Sequence, residues 1–161
     1  MKAMIFAAGL GTRLKPFTLE HPKALVPVCG KPMLQRVIEN VADAGVTEIV
    51  VNVHHFAAQI TDFLRDNRNF GLDIKISDET DCLLDTGGGL LKARGLLLAS
   101  GSYEPILLHN VDILTDLPLG KMLANHMESG ADVTLLCSRR HSSRALYFDT
   151  SDNRLAGWEN R

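Results

Sequence analysis

The sequence predicts an α/β fold, a three-layer sandwich built around a mostly parallel sheet. Short apolar runs rich in β-branched residues alternate with longer segments whose apolar residues recur at helical spacing. The first apolar run leads directly into a loop that contains two glycines. Ligands of parallel sheets bind beyond the carboxyl ends of the strands, so the loops at those ends are where a functional site is expected.

The elements follow one another along the whole chain. Strands are expected at residues 2–7, 48–53, 72–77, 104–109 and 132–137, and helices at 33–44, 56–66, 88–99 and 116–128. Two short strands are expected at 144–149 and 154–158, separated by a turn-rich Thr-Ser-Asp-Asn stretch. Because we find no repeat, low-complexity tract or linker, we expect one domain over residues 1–161.

Composition excludes several classes of partner. The chain has 161 residues, 45% of them hydrophobic, and a net charge of −2. This balance favours neither nucleic acid nor an anionic membrane, so an anionic ligand must be held by a local site. No stretch approaches the roughly 20 apolar residues of a membrane span. Three widely spaced cysteines, Cys29, Cys82 and Cys137, favour free thiols and a cytoplasmic location.

The loop after the first strand has the chemistry of a polyphosphate site. Gly9 and Gly11 allow the backbone to approach a ligand closely, and successive amides in such a loop can cradle phosphate oxygens. Thr12 adds a hydroxyl and Arg13 adds a guanidinium that can bind phosphate through two donors. Lys23 supplies a second cation about ten residues later. The alternative is a glycine turn with solvated charges, and a Gly-x-Gly pair alone does not decide between them.

Other interpretations of the polar residues are weaker. Leu14 stands where a dinucleotide-binding fingerprint needs glycine, and Asn52-Val53-His54 supplies no acidic residue at the end of the second strand, which disfavours a dehydrogenase. His54 and His55 are adjacent on a strand and point to opposite faces, which disfavours a shared metal ion. We expect Trp158 to pack in an apolar core.

Several ordered motifs resemble one known family. Residues 4–18 (Met-Ile-Phe-Ala-Ala-Gly-Leu-Gly-Thr-Arg-Leu-Lys-Pro-Phe-Thr) and 22–33 (Pro-Lys-Ala-Leu-Val-Pro-Val-Cys-Gly-Lys-Pro-Met) resemble the signature of the sugar-1-phosphate nucleotidyltransferases. The likeness continues through Asp85-Thr86-Gly87-Gly88-Gly89 and Asn110-Val111-Asp112. It is greatest for the small bacterial branch with N-acetylmuramate 1-phosphate uridylyltransferase and mannose-1-phosphate guanylyltransferase-like proteins.

The resemblance implies a fold, a reaction and a set of residue roles. The fold is the Rossmann-like nucleotide-diphospho-sugar transferase fold. Arg13, Lys23 and Asp112 would be catalytic, Asp112 would bind Mg²⁺, and Asn110 would lie on the sugar side. The nucleotide would be held by Ala8, Gly9, Leu10, Gly11, Thr12, Arg13, Lys23, Asp85, Thr86, Gly87 and Gly88. Within this set, the Thr86-Gly87-Gly88 segment would approach the base, with Asp85 beside it.

The implied partners are a nucleoside triphosphate, UTP or GTP before others, and a sugar 1-phosphate. The acceptor phosphate is already anionic, so no general base is needed, and cations must bring the two anions together. The expected step is an in-line attack on the α-phosphate with pyrophosphate leaving. Nucleic acid and membranes are not expected partners, and a homo-oligomer remains open.

The length departs from the resemblance. Members of this branch are longer, and their remaining segment supplies much of the acceptor-sugar site and a second carboxylate for the metal. We therefore expect a chain that lacks its C-terminal acceptor-side segment. The alternative is a non-catalytic module that binds a nucleotide or an NDP-sugar on the same fold.

Overall fold

A computed structural model describes residues 1–98 and 104–160 of the chain. The chain divides into two compact units, Met1–Ser129 and Gly130–Arg161. All predicted site residues belong to the first unit. The expectation of one domain over residues 1–161 stays a prediction.

The first unit is built on a four-stranded parallel sheet. The strands of this unit are β1 (Lys2–Phe6), β2 (Pro27–Val28), β3 (Lys31–Pro32), β4 (Glu48–Val53), β5 (Asp73–Asp78) and β6 (Ile106–Asn110). Its helices are α1 (Met33–Asp43), α2 (Ala57–Asp66), α3 (Asp85–Leu97) and α4 (Leu119–Ser129). The sheet order is β5-β4-β1-β6, with β2 and β3 forming a separate antiparallel pair. The predicted α/β fold is confirmed.

Strand β1 lies in the middle of three layers. Its residues alternate between two apolar cores, as expected for a strand covered on both faces. Ala3 and Ile5 lie in a core that includes the buried face of α1, whereas Met4 lies in a second core with Ala93 and Leu97 of α3. Helices therefore cover both faces of the sheet, and the carboxyl ends of β1, β4, β5 and β6 share one edge.

Most element boundaries agree with the sequence prediction within two or three residues, but α3 begins earlier than predicted. The sequence predicts a helix at 88–99 that begins at the glycine run Gly87-Gly88-Gly89, whereas the helix starts at Asp85 and contains the whole run. Glycine disfavours a helix by only about 1 kcal/mol, which tertiary packing can override. Here Gly89 and Ala93 are buried on the packed face. Residue 99 lies outside the described residues.

The second unit contains one antiparallel pair of strands. Strands β7 (Arg144–Phe148) and β8 (Leu155–Asn160) confirm the predicted pair, with an irregular register at Tyr147 and Phe148. The predicted strand at 132–137 is wrong, because these residues pair with no strand in the described part of the chain. Unpaired extended backbone gains no ladder hydrogen bonds. The expectation for Trp158 is also wrong, since 72% of it is exposed.

Candidate active site

The loop that follows β1 is held in place at its start and its middle. The backbone N–H of Ala7 donates to Oδ1 of Asn52 on β4, at 2.7 Å. The carbonyl of Gly11 accepts from the Thr18 hydroxyl and from the N–H of Leu14, each at 2.9 Å. These bonds close the loop into a compact turn, with a short 3₁₀ segment at Thr12–Leu14.

The two glycines of the loop serve different purposes. Gly11 has φ of +64°, and a Cβ there would lie 2.8 Å from Cβ of Lys23 and 2.9 Å from Cγ2 of Thr18. At Gly9 a Cβ would meet no described atom within 4 Å. Gly11 is therefore required by the fold of the loop, whereas Gly9 leaves exposed backbone open to a ligand.

We expect Gly11→Ala to lower the free energy of unfolding by about 1–3 kcal/mol. Alanine would have to adopt a left-handed backbone conformation, and its Cβ would make two short contacts. Gly9→Ala is the matched control and should change stability by less than about 0.5 kcal/mol. Urea unfolding of both variants measures the difference. Equal stabilities would contradict the assignment of a structural role to Gly11.

Most of the remaining loop residues are exposed. Ala8 is buried, whereas Gly9, Leu10, Thr12 and Arg13 are exposed. The Arg13 guanidinium thus stands in solvent beside exposed backbone, an arrangement suited to an anionic ligand. The predicted roles of these residues stay predictions.

The segment that leads to Lys23 is held in place by hydrogen bonds from α2. Nε2 of Gln59 donates to the carbonyl of Glu20 at 2.8 Å, and its Oε1 lies 3.0 Å from Nδ1 of His21. Lys23 then opens a 3₁₀ turn whose next residue, Ala24, is fully buried. The backbone that carries the Lys23 ammonium is therefore fixed on both sides.

Lys23 meets Asp112 at the carboxyl edge of the sheet. Its Nζ forms an ion pair and a hydrogen bond with Oδ2 of Asp112, two residues after β6. Asp112 is positioned by the preceding residue, because buried Val111 donates its N–H to the carbonyl of Phe6 at 3.1 Å. The side chains of Lys23 and Asp112 are 17% and 34% exposed, so both can be reached by a ligand.

Asn110 ends β6 opposite Phe6 and is exposed at the same edge. Its carbonyl accepts from the N–H of Ile113 at 3.2 Å and from Nδ1 of His109 at 2.8 Å. Burial lowers the pKa of His109, and this effect outweighs the hydrogen bond to Asn110 and the carboxylate of Asp112, which both raise the pKa. His109 therefore contributes a neutral ring to this edge.

The lowered pKa of His109 predicts a pH dependence of stability. The unfolded chain binds a proton at this residue more readily than the folded chain, so the free energy of unfolding should fall as the pH drops below about 6.5. His109→Gln should make this fall shallower between about pH 7.5 and about pH 5.5, above the range where carboxylates titrate. The exposed His141→Gln is the control, and equal slopes in both variants would contradict the prediction.

The segment predicted to lie beside a base forms the first turn of α3. Asp85, Thr86 and Gly87 are exposed and Gly88 is half-buried. A Cβ at Gly87 would meet no described atom within 4 Å, whereas one at Gly88 would lie 2.9 Å from Cβ of Leu84. Gly87 thus leaves an open surface on which a planar ring can lie. Gly88 leaves room for the side chain of Leu84, which a Cβ at position 88 would contact too closely.

Sequence reasoning missed two residues that support this edge. Asn52 is 2% exposed in β4 and Glu79 is fully buried just after β5. The signal for Asn52 was a polar residue inside the apolar run 48–53. Glu79 gave no such signal, because it lies in Asp78-Glu79-Thr80-Asp81, which looks like a solvated acidic turn.

Asp112 is the residue that could hold a divalent metal. Among residues 1–98 and 104–160, no group of three or more His, Cys, Asp or Glu side chains is arranged to hold a metal ion. Nδ1 of His54 bonds to the carbonyl of Glu79, and the ring of His55 packs on Phe56. One carboxylate fits Mg²⁺, because proteins often bind it through one or two carboxylates together with substrate phosphates.

A glycine loop, an accessible ammonium and a carboxylate lie together at the carboxyl edge of a parallel sheet, the place where this class of α/β proteins binds its ligands. Residues 2–148 match the model of the nucleotidyl transferase family, and the chain belongs to that family. Members of this family generally use a divalent metal.

Curated relatives agree with this assignment. The chain is 39% identical over 141 residues to mannose-1-phosphate guanylyltransferase 1 of Arabidopsis thaliana, covering 86% of this chain and 38% of that protein. It is 36% identical over 140 residues to probable mannose-1-phosphate guanylyltransferase 3 of Oryza sativa subsp. japonica, with the same coverage. The chain thus spans about 38% of the length of these relatives.

Two solved structures show the same fold. HddC from Yersinia pseudotuberculosis aligns with a TM-score of 0.75 at 22% identity, over 99% of this chain and 69% of that one. A UDP-glucose pyrophosphorylase aligns with a TM-score of 0.65 at 22% identity, over 80% of this chain and 54% of that one. No helix in the described residues is both long and apolar enough to cross a membrane.

Proposed function

We propose that this chain forms the nucleotide-binding and catalytic part of an enzyme that transfers a nucleoside monophosphate from a nucleoside triphosphate to a sugar 1-phosphate. The products are an NDP-sugar and pyrophosphate. The observation that carries the proposal is the meeting of Lys23 with Asp112 beside the glycine loop, within a chain of the nucleotidyl transferase family.

The charges of these residues fit the reaction. Two anions must approach each other, and the attacking phosphate oxygen needs no base to remove a proton. Arg13 and Lys23 would neutralise the triphosphate and the charge that develops on the leaving pyrophosphate. Asp112 would hold Mg²⁺, which when bound supplies additional charge stabilisation at the phosphates. The loop backbone from Ala8 to Thr12 would orient the nucleotide for an in-line attack.

The names of the relatives suggest which substrates to test first. GTP with mannose 1-phosphate is the leading pair, because mannose-1-phosphate guanylyltransferases share 34–39% identity with the aligned part of this chain. UTP with N-acetylmuramate 1-phosphate is the second pair, from the resemblance in the sequence motifs. A cytoplasmic enzyme is consistent with the three free cysteines, all of which are exposed.

Release of pyrophosphate tests the proposal. The full-length protein carrying this sequence is assayed with GTP, UTP, dTTP and CTP against a panel of sugar 1-phosphates, with and without Mg²⁺. We expect metal-dependent turnover with at least one pair. Nucleotide binding by calorimetry without any turnover would instead support the alternative, a non-catalytic nucleotide-binding or regulatory module.

A further inference from the structure

A buried pair of polar side chains lies between the two segments that are proposed to bind the nucleotide. Asn52 is 2% exposed and Glu79 is 0% exposed. Nδ2 of Asn52 donates to Oε1 of Glu79 at 2.8 Å. A carboxylate in this environment is costly unless donors compensate it, so its position is set by the groups that bond to it.

Each member of the pair holds one of the two segments. Oδ1 of Asn52 accepts the N–H of Ala7, where the chain leaves β1 for the glycine loop, at 2.7 Å. Oε2 of Glu79 accepts the N–H of Leu84, the residue before α3, at 3.3 Å. A continuous chain of hydrogen bonds therefore runs from the start of the phosphate-binding loop to the first turn of the base-side helix.

The backbone of Glu79 is fixed as firmly as its side chain. Its N–H donates to the carbonyl of Val53 at 2.7 Å. Its carbonyl accepts from Nδ1 of His54 at 2.6 Å and from the N–H of Cys82 at 3.0 Å. Glu79 is thus tied to the end of β4, and little freedom is left for its carboxylate to follow a displaced Leu84.

Gly89 shows how closely α3 approaches this pair. A Cβ at Gly89 would lie 2.7 Å from Oε1 of Glu79 and 3.0 Å from Nδ2 of Asn52. Gly89 is buried, unlike Gly87. The third glycine of the run therefore accommodates the buried pair, whereas the exposed first turn remains available to the base.

We infer that Asn52 and Glu79 are positioning residues that set the spacing between the phosphate-binding loop (Ala8 to Arg13) and the base-side turn (Asp85 to Gly88). The inference rests on the proposed function, because it assigns one ligand to both segments. Neither side chain touches the ligand, since both are buried. Their contribution is to fix the loop and the turn relative to each other, so that one nucleoside triphosphate can contact both.

Two ligands separate this role from general stabilisation. GTP contacts both segments, whereas inorganic tripolyphosphate contacts only the phosphate-binding loop. We expect Glu79→Gln to weaken GTP binding by about tenfold or more, because the new amide presents a donor to Asn52 or Leu84, while tripolyphosphate binding changes by less than about threefold. Loss of a negative charge alone would strengthen the binding of both anions.

Calorimetric titration of the full-length protein with each ligand measures these affinities. Asp81→Asn, which removes a charge from an exposed residue of the same loop, is the matched control and should weaken neither ligand. Gly89→Ala is the second variant, because it keeps both polar side chains but displaces the Glu79 carboxylate. It should reproduce the selective loss of GTP affinity.

The outcomes are distinct. Selective weakening of GTP in either folded variant supports the inference, with folding checked by circular dichroism. Equal weakening of both ligands, or GTP affinity within about threefold of the wild type, overturns it. Failure of both variants to fold also overturns it, because the pair would then hold the sheet as a whole. The titration uses UTP, dTTP or CTP in place of GTP if the wild-type protein binds one of these instead. A wild-type protein that binds none of the four nucleoside triphosphates and no tripolyphosphate refutes the proposed function itself.

Discussion

Replacing Lys23 by alanine is expected to lower the rate of NDP-sugar formation by about 100- to 1,000-fold, the cost of removing one preorganised donor that stabilises developing negative charge. Lys23 is the cation that the fold holds against Asp112, on a turn anchored by buried Ala24. Stability should change little, because both side chains of the ion pair are partly exposed and Asp112 can be hydrated. Steady-state pyrophosphate release and thermal unfolding measure the two effects.

Lys15→Ala is the matched control for this experiment. Lys15 is an exposed lysine of the same loop, eight positions before Lys23, and its loss changes the net charge by the same amount. We expect it to retain activity within about threefold of the wild type, because general electrostatic attraction is screened at physiological salt. A similar loss in both variants would show that Lys23 acts through bulk charge and has no specific role.

The second large effect is expected for Asp112→Asn, which should lower metal-dependent turnover by about 100-fold or more. Asparagine keeps the size of the side chain and one oxygen but removes the charge that attracts a divalent cation. Titration with Mg²⁺ should show saturation only at much higher concentration. Binding of the nucleotide without metal should be unchanged or stronger, since the Lys23 ammonium loses its carboxylate partner.

Asp116→Asn serves as the control for Asp112. Asp116 is an exposed carboxylate four residues further along the same segment. Its substitution should leave the Mg²⁺ dependence unchanged. If the two variants have the same Mg²⁺ titration curve, Asp112 is not the metal ligand.

The layered α/β fold could be predicted from the sequence because the apolar pattern is strong in the first unit. Leu34, Val37, Ile38 and Val41 recur at helical spacing and are all buried in α1. Strand β4 has the predicted bounds, because an apolar run covered on both faces leaves little ambiguity. The segment at 132–137 has a similar composition but does not form a strand, because composition does not reveal whether a partner strand is present.

The candidate site could be predicted only in part. Lys23 and Asp112 could be predicted from local patterns, because one lies in the loop after a strand and the other lies just beyond a strand end. The topology of the parallel sheet brings these two residues to one edge. The roles of Asn52 and Glu79 depend on contacts between segments 27 residues apart, which no local pattern encodes. The family resemblance implies a role for Gly87 and Gly88 in nucleotide binding and none for Gly89, which packs against a buried carboxylate.

The ion pair between Lys23 and Asp112 has a thermodynamic consequence for ligand binding. In the unliganded protein each charge neutralises the other, so a cation alone competes with the ammonium and an anion alone competes with the carboxylate. A ligand that takes up one member of the pair frees the other for a ligand of opposite charge. Linkage requires this advantage to be reciprocal, so we expect divalent cations and polyphosphates to raise each other's affinity by the same factor.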